Sequence, residues 1–593
     1  MWGQFLTHDL DLASTSNGSG VNGAANIAVG AGDILGPNPI AMTRSNFVTQ
    51  GGIREQVNGI TAYIDASNVY GSDATRAAAL RTNGGTGAKL VTSANNLPGF
   101  NTVGLANDNS GPTPASQLFL AGDVRANENV TLTSMHTVFV REHNRLVDVI
   151  SAQQPSLSNE QKYQLARKIV GAEMQAVTYN EFLPALLGSA NAPAASDFAY
   201  SGQVNAQITQ SFAVAAFRFG HTTLSSEMPR VKNDGTTELP VSLAGAFFNP
   251  NLLTNNPTLA EDLLRGGATQ VAQEVDLKFI DDIRNTLFGP SGAGGADLFA
   301  LNTQRGRDHG LTDYRQLRPA YNLPAINGFN QIPTTPELRA ALQALYGNIN
   351  NVDAYVAGLA ENHVPGGSLG PLFTNIIASQ FERLRDGDRL FYLSNAAGLY
   401  NNGALLPSIA SIIDLNTIRL SDIIALNTGL TSLQAHGNVF FALKPGDVNR
   451  DQVVSGADVN AVLRAISGTP ASPSLLDVNA DGTINPTINT PSSDSDHLIR
   501  TLIGTEYGDA TLDGAVNLND FTALASRFGN TGGWATGNFN NDLVVNLDDF
   551  TLLAANFGFQ AAGDVASVTA VPEPTASGFV SLMGAASLIR RRR

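Results

Sequence analysis

A chain of 593 residues is too long for one ordinary core, so one large domain with smaller companions is expected. Its 43% hydrophobic and 15% charged residues make a globular composition, and the net charge of −16 argues against a nucleic-acid partner. With no cysteine, disulfides, thiolate metal sites, iron–sulfur clusters and thiol catalysis are excluded, while an acidic excess suits Ca²⁺, which prefers oxygen ligands.

Residues 1–440 read as a mainly α-helical unit with long irregular connections. Ser16 to Gly36 is small and polar, a surface loop. Apolar residues at helical spacing (Met135, Val138, Phe139, Leu146, Val149) predict a helix over Thr133–Ile150. Further helices are expected over Glu160–Leu187, Gln207–His221, Leu259–Leu287 with a break at Gly266-Gly267, and Leu372–Arg385, which Asp386-Gly387-Asp388 stops. Strand signals are few.

From Lys444 onward Asp, Asn and Gly recur in a repeated pattern. Side-chain oxygens fall at positions 1, 3, 5, 9 and 12 of three EF-hand-like loops: Asp447, Asn449, Asp451, Ser455 and Asp458; Asp509, Thr511, Asp513, Asn517 and Asp520; Asn538, Asn540, Asp542, Asn546 and Asp549. Asp477, Asn479 and Asp481 begin another copy, interrupted by an insertion. We expect repeat pairs over 444–505 and 506–560. The tail, 571–593, carries Pro572-Glu573-Pro574, a short apolar run and four arginines; the run is shorter than the ~20 residues a spanning helix needs.

Four segments of the large unit carry residue types suited to redox chemistry on a bound metal cofactor: Gln4 with His8-Asp9; Thr61 to Ser72; Ala121 to Glu128; and Phe217 to His221. In the second, the side chains of Thr61, Asp65 and Ser67 can wrap a cation with a backbone carbonyl between them. These segments belong to longer motifs in one order: WGQFLTHD, TAYIDASNVYGS, FLAGDVRANEN with LTSMHTVFVREHNRL, FRFGHT, LNTQRGRDHG, and AENHVPGGSLGPLF with FERLRDGDR. The unit thereby resembles the animal-type haem peroxidases of the peroxidase–cyclooxygenase superfamily. The resemblance implies a helical fold around a buried haem b, with hydrogen peroxide and a small reducing donor, a phenol or halide, as substrates.

Carried over by position, the resemblance makes His8 the general base and acid for peroxide, Arg125 the fixed charge beside the O–O bond, and Gln4 a group orienting water or halide. His221 takes the axial ligand position and Asn302 that of its hydrogen-bonding partner. Asp9, Thr61, the Tyr63 carbonyl, Asp65 and Ser67 match the family's calcium site. Glu128 retains one of two residues that esterify haem in mammalian members, whereas Thr7 stands at the other and cannot, so at most one covalent link is expected. Arg218 replaces the tyrosine that cyclooxygenation requires. Arg305 and Arg307 bind haem propionates or pair with acids, even alternatives from the sequence. His136, His143, His309 and His363 read as structural.

The repeats resemble dockerin type I modules, implying calcium binding and a cohesin-like partner. The tail resembles a PEP-CTERM sorting signal, implying export to the cell surface of a Gram-negative bacterium, with membrane contact only through that tail. No secretory signal precedes Trp2, and the chain starts inside the first motif, so we expect further sequence upstream of Met1. Two rival readings stay open: a fatty-acid haem dioxygenase, and a surface adhesion or scaffold protein with impaired catalysis.

Overall fold

A computed structural model describes residues 1–13, 23–233, 236–287, 295–430, 433, 438–441, 446–448, 454–465, 469–470, 476, 478–479 and 483–561. The chain divides into two compact units, Met1–Lys444 with 472–475, and Pro445–Ala471 with 476–593.

The first unit is mainly helical, and its described strands form only short antiparallel pairs such as Glu227–Val231 with Thr237–Ser242. Its spine is the helix Val130–Gln153. Asn129 starts it: the side-chain carbonyl accepts from the Leu132 amide at 2.9 Å, meeting one of the donors a helix N-terminus leaves free. Against this spine pack the N-terminal helix Trp2–Leu10 and the helix Asn159–Val177, the latter opened by a Ser158–Gln161 capping box. The N-terminal contact is aromatic: Phe5 stacks on Phe139 at 5.1 Å, and Trp2 lies 5.9 Å from Phe139. Trp2, Phe5, Leu6 and Leu10 are buried, so this helix is fixed from its first turn to its last.

Three helical expectations change in detail. The segment Gln207–His221 is not one helix: Gln210–Val214 is followed by Ala215 at φ −133°, ψ −80°, and then by a tight 3₁₀ turn, Ala216–His221. The Arg218 Nε donates to the Ala213 carbonyl at 2.9 Å across the interruption. The helix Leu259–Thr269 runs straight through Gly266-Gly267. Gly266 is there for close approach, since a Cβ would lie 1.9 Å from the Pro229 carbonyl oxygen of the neighbouring strand. Pro371–Asp386 starts one residue early because Pro fits the first helical turn, and Gly387 caps its end.

The second unit has its own core, built from Val459, Val462, Leu498, Ile499, Tyr507, Val516, Leu524, Trp534, Phe539, Val545 and Leu553. Residues from both expected repeat pairs share this core. No helix among the described residues is long and apolar enough to cross a membrane. Asn449, Asp451, Asp477, Asp481 and the tail 571–593 lie outside the described residues.

Candidate active site

His8 sits in the last turn of the N-terminal helix and is buried. Its Nδ1 lies 3.6 Å from Asp123 Oδ1 and its Nε2 3.8 Å from Glu128 Oε2, both beyond a hydrogen bond. Burial, reinforced by the Arg125 charge, holds its pKa well below the ordinary value, and Asp123 opposes this only in part. The imidazole is therefore neutral at physiological pH, the state that can accept a proton.

Arg125 is fixed by Asp123. Its Nε and Nη2 donate to the two carboxylate oxygens at 2.8 Å each, leaving Nη1 outside the fork. The Arg125 amide also donates to Asp123 Oδ1 at 2.9 Å, so the two residues form a local turn as well as an ion pair. Burial alone would push the Asp123 carboxyl up, but the Arg125 charge, the His8 imidazole and the hydrogen bonds from Arg125 together outweigh it and hold the group below the usual carboxylate range. Gln4 is oriented from both ends: its amide donates to Glu128 Oε2 at 2.7 Å, and its carbonyl accepts from Asn129 at 3.1 Å. Glu128 is pushed up to about 7 by burial, with Asp123 adding to the shift and Arg125 opposing it. The Thr7 hydroxyl turns back to the Gly3 carbonyl at 2.8 Å.

The turn that carries Arg125 lies directly on the short helix Ser67–Tyr70. The Asp123 amide donates to the Asn68 carbonyl at 3.1 Å, and a Cβ on Gly122 would lie 2.2 Å from the Ser67 carbonyl oxygen and 2.5 Å from the Gly71 nitrogen. Those are backbone atoms without room to move. Gly122→Ala is expected to cost about 3 kcal/mol in unfolding stability, the upper end of ordinary overpacking, measured by denaturant titration; an unchanged midpoint would contradict this packing.

His221 closes the 3₁₀ turn, which contacts the N-terminal helix. Burial, and next the Arg218 charge, lower its pKa to about 3, so it too is neutral. Asn302 projects from the helix Leu298–Asp308 and is fully buried. Its amide nitrogen lies 2.7 Å from His221 Nδ1, while its carbonyl accepts from Arg218 Nη1 at 2.8 Å. Arg305 points elsewhere: its Nη1 bonds Asp308, Ser45 and the Thr43 carbonyl, and Arg307 pairs with Asp353. Both arginines thus have acidic partners in the structure. His309 bonds Gln210 and Ser45, and His363 bonds the Val275 carbonyl.

Asp9 follows His8 and is fully buried. Its carboxylate accepts from the amides of Asp65 and Ala66 at 3.1 Å and from the Ser67 hydroxyl at 2.7 Å. Thr61 Oγ1 lies 3.1 Å from Asp65 Oδ1, 3.4 Å from the Tyr63 carbonyl and Ser67 Oγ, and 3.5 Å from the Asp9 carbonyl. All five expected residues thus turn oxygens toward one point, where the two carboxylates are met by backbone amides and by the Thr61 and Ser67 hydroxyls. Burial, and next the neighbouring Asp65, push Asp9 up to about 7. Among the described residues there is no group of three or more His, Asp or Glu placed for a metal; this cluster uses two carboxylates plus neutral oxygens.

In the second unit the loops 509–520 and 538–549 close on buried Asp520 and Asp549. Each of these also caps a helix, accepting from Asn517 and Asn546 amides at 2.9 Å. Asp509 accepts from the Gly514 amide at 2.9 Å, and Asn538 Oδ1 is buried without a partner. Gly514 takes φ 82°, and Leu543 occupies the equivalent position at φ 77°, a strained conformation for a residue with a Cβ.

Sequence reasoning missed Asp123 and Asp11. The Asp-x-Arg spacing at 123–125 was the available signal for the first. Asp11, just past the N-terminal helix, is raised by burial and held back by Arg218 and Arg125, so it joins the two sides of the site electrostatically.

Comparison with known proteins follows the same division. Residues 1–440 match the family described as animal haem peroxidase, and residues 445–487 match the dockerin type I domain. Peroxinectin A of Dictyostelium discoideum is 33% identical over 437 residues, covering 70% of this chain and 80% of that protein. The peroxidasin homologue of Mus musculus is 35% identical over 442 residues, covering 66% of this chain but only 29% of its own length. Among solved structures, peroxidase A from Dictyostelium discoideum superposes with a TM-score of 0.64 at 30% identity, over 74% of this chain and 84% of that one. A fatty acid alpha-dioxygenase of Oryza sativa shares the fold, with a TM-score of 0.59 at 18% identity over 74% of each chain.

Proposed function

The chain belongs to the animal haem peroxidase family and is a haem-dependent peroxidase, and from that premise we propose how its own residues divide the work. The observation that carries the assignment is convergence: His8, Arg125, Gln4 and Glu128 meet on one side, while the His221 turn, partnered by Asn302, contacts the helix bearing His8. A haem would need a neutral imidazole with an engaged second nitrogen, and polar groups for peroxide; these residues fit it.

When bound, the haem supplies the redox centre through which donor electrons reach peroxide. His221 would hold it, with Nε2 as the nitrogen that Asn302 leaves unengaged. As the structure stands, the Asn302 amide donates to His221 Nδ1, which leaves the proton on Nε2. Ligation requires the opposite tautomer, with Nδ1–H donating to the Asn302 carbonyl. Turning the amide would set its NH₂ against the Arg218 guanidinium, so Arg218 would release Asn302 and be free for an anionic group. Glu128 would be the residue for a covalent link, of which at most one is expected.

On the opposite side His8 takes a proton from peroxide and returns it to the departing oxygen, while Arg125, held by Asp123, faces the charge that develops. Gln4, fixed at both ends, orients water or halide. Asp9, Thr61, Tyr63, Asp65 and Ser67 bind Ca²⁺ and brace His8 from the next residue. The donors are small phenols or halides. The EF-hand-like loops hold further Ca²⁺ and dock a cohesin-like protein, and the PEP-CTERM-like tail directs the protein to the cell surface.

Haem-loaded protein is expected to show a Soret band whose position His221→Ala changes or abolishes. A band unmoved by that substitution sinks the axial assignment.

A further inference from the structure

The spine helix brings His143 to Tyr70, at the end of the short helix Ser67–Tyr70. Tyr70 Oη lies 2.9 Å from His143 Nδ1, and both side chains are sealed from solvent. His143 Nε2 lies 2.8 Å from the Ala88 carbonyl. A carbonyl can only accept, so Nε2 carries the proton and Nδ1 offers a lone pair. The tyrosine hydroxyl is therefore the donor, and the tautomer is fixed by the fold.

The groups facing Tyr70 are Tyr163, Arg167, Glu173 and Glu142. Burial keeps the phenol from ionising, and burial keeps the imidazole neutral. Neither group serves as an ordinary acid or base here. A phenol of this kind loses its proton only together with an electron, to a base already in place. Among the described residues Tyr70 is the buried tyrosine whose phenol meets an imidazole: Tyr163 has no hydroxyl partner, Tyr179 donates to the Phe381 carbonyl, Tyr355 meets the Asn302 amide, Tyr392 bonds Asn180, Tyr400 donates to Asn416, and Tyr314 donates to the Glu361 carboxylate, which Arg318 also holds.

The pair is also close to the active site. Asn68, two residues and at most ~7 Å of extended chain from Tyr70, donates to the Phe5 carbonyl at 2.7 Å and accepts from the Asp123 amide. Tyr70 thus adjoins both the helix that carries His8 and the turn that carries Arg125.

We propose that Tyr70 and His143 form an internal redox pair, in which Tyr70 gives one electron to the peroxide-oxidised active site and its phenolic proton to His143 Nδ1. The proposal rests on the peroxidase reading. The Tyr70 O–H bond breaks and an Nδ1–H bond forms; Tyr70 is oxidised by one electron and the active site reduced by one. A neutral tyrosyl radical remains, hydrogen-bonded to an imidazolium whose Nε2–H stays on Ala88. When an external donor supplies an electron, the proton returns to oxygen. The pair stores an oxidising equivalent away from solvent until a donor arrives.

The test is freeze-quenched paramagnetic resonance on the haem-loaded full chain after H₂O₂, with ring-deuterated tyrosine to identify the radical. A tyrosyl signal in the parent, lost in Tyr70→Phe, retained in Tyr163→Phe and shifted or shorter-lived in His143→Gln, supports the pair. His143→Gln keeps a hydrogen-bonding side chain without a base, so it separates proton acceptance from packing. A tyrosyl signal unchanged in Tyr70→Phe overturns the proposal. Optical spectra of the same samples show whether peroxide has reacted: reaction without a tyrosyl signal overturns the redox pair alone, and no reaction overturns the peroxidase reading with it.

Discussion

Replacing His8 with alanine is expected to slow reaction with H₂O₂ by ~10²–10⁴-fold while haem remains bound, the range for losing a positioned general acid–base. The reason is specific to this site. Hydrogen peroxide is a poor nucleophile until deprotonated, and the base must be neutral beforehand. Burial keeps His8 neutral, and its two nitrogens stand 3.6 and 3.8 Å from carboxylate oxygens rather than hydrogen-bonded to them. Neither Glu128 nor Asp123 substitutes well. Glu128 is committed to Gln4, and Asp123 is held in a fork by Arg125. Stopped-flow absorbance at the Soret band gives the rate, and a variant as fast as the parent sinks the assignment of His8 as base.

Calcium removal is expected to be the second large effect. Without the cation, the buried Asp9 carboxylate has Asp65 as a like-charged neighbour, and the backbone amides and Ser67 hydroxyl that bond it offset this only in part. Breaking a buried charge pairing of this kind costs ~3–5 kcal/mol. The pH dependence follows from Asp9, pushed up to about 7 from an ordinary 3.8. Between those values the cation-free folded state binds a proton that the unfolded state does not. Stability of the cation-free protein is therefore fully present below the unfolded value and is lost as pH rises toward 7, at up to ~1.4 kcal/mol per unit. Chelation should lower the thermal midpoint far more at pH 7.5 than at pH 5, and it should slow peroxide turnover, because Asp9 and His8 are consecutive on one helix. Equal midpoints with and without chelator at pH 7.5 would count against a cation at this cluster.

The fold class and the convergence of the site were legible because they rest on side-chain type at fixed spacing. Gln4, His8, Glu128, His221 and Asn302 come together as the motif order implies, and the oxygens of Asp9, Thr61, Tyr63, Asp65 and Ser67 converge. What the sequence concealed depends on tertiary contact. Gly266-Gly267 has the look of a break, yet Gly266 is required by the Pro229 carbonyl pressed against its helix. The apolar run from Gln207 gives no sign that Ala215 leaves helical geometry, which is what turns His221 toward the N-terminal helix. The sequence offers no sign that Arg218 bonds Asn302 or that Arg305 bonds Asp308; those partners come from other elements or from the next turn. His143 reads as structural until the Ala88 carbonyl fixes its tautomer.

The bond between Gln4 and Glu128 joins positions 124 residues apart, and it is one of several such closures at the site. Closing so long a loop is entropically uphill until the intervening helices have condensed, so the reactive centre is among the last features to form as the chain folds. Haem that binds only the finished arrangement then draws the folding equilibrium forward by mass action, and the nascent chain is spared an oxidising centre during its own assembly.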